Sequence, residues 1–363
     1  MNIPPHGQRP PPPLPPPPGE PPWPAQQPSG EPPQHSRKSG VSAKWILGGL
    51  GLLTVIVVTV VATLLVTRDG GYALSPPPDA DSDQTTTGIA PNNAVSVGII
   101  TNEPTCSAWG PINDALAAAQ ENGWQLRDPA LPASAWTAAQ RQQHRQVADA
   151  MRGAADQTEH LASATKNTVV RDIYQQFIAY AREYADKVPL YQPPDDHLAR
   201  VTVGTSLALT SICAAIKTGA ASSSAPFVEP STLPNRGDGA APFLEQPAPV
   251  CPRWEEHVLR YSMDTSAWRQ IDPNLAAQQW SPEQKSINEA VVPLMLASAD
   301  RIEDLAEESQ NIVIERFGAL ATEYQRAFAA TLPNYVPENN YLNEVVTGLI
   351  GSVSDACRAV DGS

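Results

Sequence analysis

Cys106-Ser107-Ala108-Trp109 returns 145 residues later as Cys251-Pro252-Arg253-Trp254, and from there the register holds at 144. Trp124 falls on Trp268, Asp128-Pro129 on Asp272-Pro273, Trp136 on Trp280 and Gln140 on Gln284. Asp156, Glu159, Asn167, Tyr180 and Arg182 then match Asp300, Glu303, Asn311, Tyr324 and Arg326, and Tyr191, Gly204 and Cys213 match Tyr335, Gly348 and Cys357. With six of the eight tryptophans in matched places and a single one-residue slip, residues 99–218 and 250–363 are expected to be two copies of one domain.

Each copy reads as helices. Thr137 with Gln140, and Ser281 with Gln284, fit a capping box, in which the hydroxyl accepts from an early backbone N–H and the glutamine reaches back. Pro282 falls at a first helical position, so long helices are expected from near 138 and 282. A break or bend is expected near Asn167 and Asn311, and another at Pro293. The third helix should stop before Pro189 and Pro333, because the residue before proline is pushed out of the α region. Asp195 and Asn339 are expected caps for a fourth helix. With a short first helix after Cys106 and Cys251, each copy becomes a bundle of about four helices, and strands find little support in the Ala- and Gln-rich composition. The fold class is mainly α.

Four cysteines allow three pairings, and the duplication selects Cys106 with Cys213 and Cys251 with Cys357. Each bond closes a loop of about a hundred residues, worth roughly 4 kcal/mol in the chain-entropy model. Zinc is the rival reading, but no Cys-x-x-Cys pair occurs. Trp124, Trp136, Trp268 and Trp280 fit a bundle end sealed by large rings; the alternative is a ligand cleft lined by the same rings.

Outward from the copies the composition changes. Residues 219–249 are rich in Ser, Pro and Gly and read as an interdomain linker; residues 68–98, with Pro76 to Pro78 and Asp79, Asp81 and Asp83, read as a stalk. Trp45 to Thr67 carries no charge over 23 residues, and 44–67 is expected to be a transmembrane helix. Arg37, Lys38 and Lys44 before it, against Arg68 balanced by Asp69 after it, place the amino terminus in the cytoplasm and the copies outside the plasma membrane. Residues 1–43, with proline runs at 10–13 and 15–18, form an expected disordered tail, either a polyproline II ligand for a cytoplasmic partner or a spacer.

The chain carries a net charge of −14. The part up to Asp69 is slightly basic, so the exterior part is more acidic still, which argues against nucleic acid as a partner. Asp156 with Glu159, and Asp300 with Glu303, share a helix face at i, i+3, but the Glu-x-x-His of a di-metal bundle is missing. Nucleophile elbows, His-Glu-x-x-His and phosphate-cradling glycine loops are missing too, so no catalytic residue, metal or cofactor is assigned and the chain is not expected to be an enzyme. Arg236-Gly237-Asp238 spells an adhesion tripeptide, a pattern short enough to arise by chance.

The layout from Pro4 through Thr67 resembles the uncharacterised proline-rich single-pass membrane proteins of mycobacteria and related actinobacteria. That resemblance implies a cell-envelope setting and transfers no active-site residues. The expectation is a non-enzymatic envelope protein whose outer copies bind a protein or envelope component; the alternative is an extracytoplasmic ligand carrier or enzyme with the tryptophan-lined cleft.

Overall fold

Residues 94–361 are described by a computed structural model. The expected tail (1–43), transmembrane helix (44–67) and most of the stalk lie outside the described residues.

Local chemistry explains where the helices start. In α2 (Ala138–Ala164) the Thr137 hydroxyl accepts from Gln140 N at 3.2 Å while Gln140 Oε1 accepts from Thr137 N at 2.9 Å. Ser281 and Gln284 repeat the exchange at 3.2 and 2.8 Å ahead of α7 (Pro282–Glu308). Asn167 and Asn311 each accept from two following backbone N–H groups and so begin new helices, α3 (Thr168–Lys187) and α8 (Ile312–Thr331). Both end just ahead of Pro189 and Pro333.

The first half also holds α1 (Cys106–Gln120) and α4 (Asp196–Thr218); the second holds α6 (Cys251–Asp264) and α9 (Asn340–Asp361). Two expectations fail locally. Pro293 sits inside α7 and does not break it, because it forfeits a single ladder bond while Val291 and Met295 beside it are buried. The Asp195 and Asn339 side chains bond backward, to Gln192 N at 2.7 Å and Val336 N at 2.9 Å, and cap tight turns rather than the helices that follow.

Expected as separate domains, the halves share one interface. The α4 and α9 helices cross where Gly204 meets Gly348, positions 144 apart: a Cβ on Gly348 would lie 2.6 Å from Gly204 O and 2.8 Å from Ala208 N. Gly348→Ala must therefore prise two backbones apart and is expected to cost about 1–3 kcal/mol. Gly351→Ala, whose Cβ would meet nothing within 4 Å, is expected to be neutral or to stabilise by up to about 1 kcal/mol. Urea unfolding of the two variants checks the contrast.

A second contact between positions 144 apart joins α3 to α8. Arg316 Nη1 donates to Asp172 Oδ2 at 2.8 Å, with both side chains essentially fully buried.

The expected linker is packed rather than an open tether, and the last residues of the expected stalk pair with it. β1 (Ala94–Val97) pairs antiparallel with β2 (Ser231–Pro234), from Ala94 opposite Pro234 to Val97 opposite Ser231, and the pair lies on α8. Strands form here, against the composition, because Val95 and Val97 alternate with exposed Ser96 and bury one face. The short α5 (Ala220–Ser224) precedes β2.

Beyond β2 the chain crosses to the first half. Gln176 of α3 donates to Ala240 O at 2.8 Å and accepts from Phe243 N at 3.0 Å, and the Phe243 ring stands 5.7 Å from that of Tyr180. Reciprocally, Ile100 N, on the segment leading into the first half, donates to Tyr324 OH of α8 at 3.2 Å. Each half's lead-in thus packs on the other half's third helix.

One stretch, Pro193–Thr218, is long and apolar enough to cross a membrane by length and composition, and half of its apolar window is buried. Its apolarity follows from its place: α4 packs against α1, α3 and α9 at the centre of the fold.

Candidate functional site

The structure makes two disulfides, Cys106 with Cys213 and Cys251 with Cys357, at Cα separations of 5.4 and 5.5 Å. Each ties the first helix of a half to its last, as the duplication implied.

The four candidate cleft tryptophans face inward. Trp124 Nε1 donates to Tyr184 OH at 3.1 Å, and Arg127, held to Asp196, lies 3.5 Å over its ring. Trp136 stacks on His144 at 3.8 Å; burial depresses the His144 pKa and favours its neutral form. In the second half Trp280 stacks on Tyr335, while Trp268 donates to Asn288 Oδ1 at 3.1 Å and meets Phe328 edge-on. Trp124, Trp136 and Trp280 are buried and Trp268 is half-buried, so these rings seal the bundle ends.

The paired carboxylates have a structural use. Asp156 and Glu159 hold Arg182 at 2.5 and 2.7 Å; Asp300 and Glu303 hold Arg326 at 2.7 and 2.8 Å. Each set clamps the second helix of a half to its third. Among the described residues no three His, Cys, Asp or Glu side chains come together in a metal-ligating group. The Arg-Gly-Asp tripeptide is likewise engaged: Arg236 pairs with Glu315, Gly237 O accepts from Arg316 at 2.6 Å, and Asp238 lies 3.9 Å from Arg171. Gly237 takes φ +93°, which a side chain there would strain.

What stays open is a groove of about 470 Å³ on the second half. Val292 and Leu296 of α7 form one wall, Glu323, Arg326 and Ala330 of α8 the other, and Phe227 to Glu229 the rim. Phe227 is 56% and Leu296 40% exposed. Glu323 accepts from Ser231 Oγ, and burial raises its pKa while that hydrogen bond pulls it back. A more polar cavity of about 330 Å³ lies beside Gly98 to Asn102 and Pro230.

The first half supplies an internal control. At the positions of Val292, Leu296, Glu323 and Ala330 it has Ala148, Arg152, Ala179 and Asp186, and Arg152 closes the face by pairing with Asp186 at 2.8 Å. The face between α2 and α3 is therefore polar at these positions. Sequence reasoning missed the groove because its rim lies in the expected linker; the signal to notice was Phe227-Val228 in a polar, Ser- and Pro-rich stretch.

The profile of the family described as "Mycobacterial ESX-1 associated protein" matches residues 88–361. An uncharacterised protein of Mycolicibacterium smegmatis (strain MKD8) is 40% identical over 330 residues, covering 89% of this chain and 88% of its own. No solved structure matches significantly.

Proposed function

Because the chain belongs to the mycobacterial ESX-1 associated protein family, we propose that it is a non-enzymatic, membrane-anchored docking platform serving a mycobacterial secretion system. In this reading residues 44–67 cross the plasma membrane once, 1–43 lie in the cytoplasm as a proline-rich interaction tail, and 99–218 and 250–363 stand outside as a tandem duplicate. Contacts between positions 144 apart, Gly204 with Gly348 and Asp172 with Arg316, support a pseudo-twofold arrangement of the kind isologous dimers use.

The observation that carries the docking reading is the difference between the halves. One closes the face between its second and third helices with an ion pair; the other leaves it apolar and open. An exposed apolar groove rimmed by charge is the ordinary mark of a protein-binding surface. The acidic charge favours a protein over nucleic acid as partner. The ligand-carrier alternative needs the tryptophan cleft, and those rings are taken up in packing.

The test is genetic. Deleting the chain from a mycobacterial host is expected to lower export of the secretion system's substrates, with rescue by the full chain and not by residues 68–363 exported behind a cleavable signal peptide. Undiminished export after deletion would sink the secretion role, and rescue by the unanchored chain would sink the anchor.

A further inference from the structure

Resting on the docking reading, we infer that the groove between α7 and α8 receives an amphipathic helix of a partner protein, one that lays an apolar row against Phe227, Val292 and Leu296 and sets a Lys or Arg beside Glu229 and Glu323.

The shape of the groove selects a helix. Its walls are lined at i and i+4 on α7 (Val292, Leu296) and at i, i+3 and i+7 on α8 (Glu323, Arg326, Ala330), so the channel follows two helix axes. A third helix seats its own i, i+3, i+4 ridge in such a channel. The groove is open to solvent rather than enclosed, consistent with a surface that a helix covers rather than a chamber that a metabolite fills.

Charge selects the sign of the partner. Arg326, the cation of the lining, is already held by Asp300 and Glu303. Glu229 at the rim and Glu323 in the wall stand on the same face, so the lining carries two carboxylates against one cation that is already paired. Glu323 lines the wall with one oxygen bonded by the Ser231 hydroxyl, and an incoming ammonium or guanidinium beside it and Glu229 would favour its charged form. An acidic helix at this position would face like charge in a partly dry groove, which disfavours it against a basic one. The first half fills the positions of Glu323, Leu296 and Ala330 with Ala179, Arg152 and Asp186, so neither the wall carboxylate nor the apolar face recurs there.

The test uses the full chain in nanodiscs and synthetic amphipathic helical peptides of about 18 residues. All share a Leu/Ala face and differ only in carrying Lys, Gln or Glu on its flank. Binding is read by fluorescence anisotropy at low and physiological salt. The Lys peptide is expected to bind at least about tenfold more tightly than the Glu peptide, with a preference that shrinks as salt rises. The double variant Leu296→Arg/Ala330→Asp, which installs the first half's ion pair, is expected to abolish binding without loss of thermal stability. Glu323→Ala should reduce the Lys preference while leaving the Gln peptide's binding unchanged.

Equal binding of the Lys and Glu peptides, or binding by none of them, overturns the proposal, as does undiminished binding to the double variant. If deletion of the chain lowers export and the double variant restores it in full, the groove assignment falls while the platform reading stands.

Discussion

Arg316→Met is expected to destabilise the protein by about 3–5 kcal/mol at neutral pH, because it leaves Asp172 as a buried carboxylate with no counter-ion. The loss should depend on pH in a defined direction. Burial already raises the Asp172 pKa, and the hydrogen bond and Coulomb attraction of Arg316 pull it back down. Because the folded-state pKa lies above the unfolded one, the linked stability is full below about 3.9 and declines as pH rises through the folded pKa. Removing Arg316 removes the downward pull, so the decline extends to higher pH.

The variant's deficit should accordingly be smaller at pH 5 than at pH 8. Urea unfolding at the two pH values checks this, and a variant within about 1 kcal/mol of the parent at both would show that the pair bears no weight. The double variant Asp172→Leu/Arg316→Met is expected to recover most of the loss, since a buried ion pair replaced by apolar groups of similar volume is often neutral.

Loss of either disulfide is the second large effect. The bonds span 107 and 106 residues, and closing a loop of that length in the unfolded chain corresponds to about 4.7 kcal/mol in the entropic model, with measured losses of about 2–5. Cys251→Ser/Cys357→Ser and Cys106→Ser/Cys213→Ser are each expected to fall in that range. The two bonds should differ in reactivity. Cys251 and Cys357 are buried, whereas Cys106 and Cys213 are half-buried. Mild reductant followed by alkylation should label Cys106 and Cys213 first, and mass spectrometry reads the order. Simultaneous labelling of all four would mean that reduction proceeds through global opening rather than local access.

Much of the helical layout was legible. Thr137 with Gln140 and Ser281 with Gln284 mark helix starts because a capping box is made within four residues. Pro189 and Pro333 mark helix ends because proline acts on its immediate neighbour. The cysteine pairing was legible through the repeated register. The solvated role of Asp156, Glu159, Asp300 and Glu303 followed from helical spacing, although the arginine each pair holds did not.

The sequence by itself determined where the long second and third helices of each half start and where the third stops, and which cysteines join, because those features depend on residues a few positions apart or on the register repeated at 144. Only the tertiary structure decided that β1 finds its partner more than a hundred residues away, that each half's lead-in packs on the other half, that Asp172 meets Arg316, and that one half opens a groove where the other closes it. These are contacts between distant segments, selected by which buried surfaces fit together. The residues on either side of such a contact look, in the sequence, like the same residues on any solvated face.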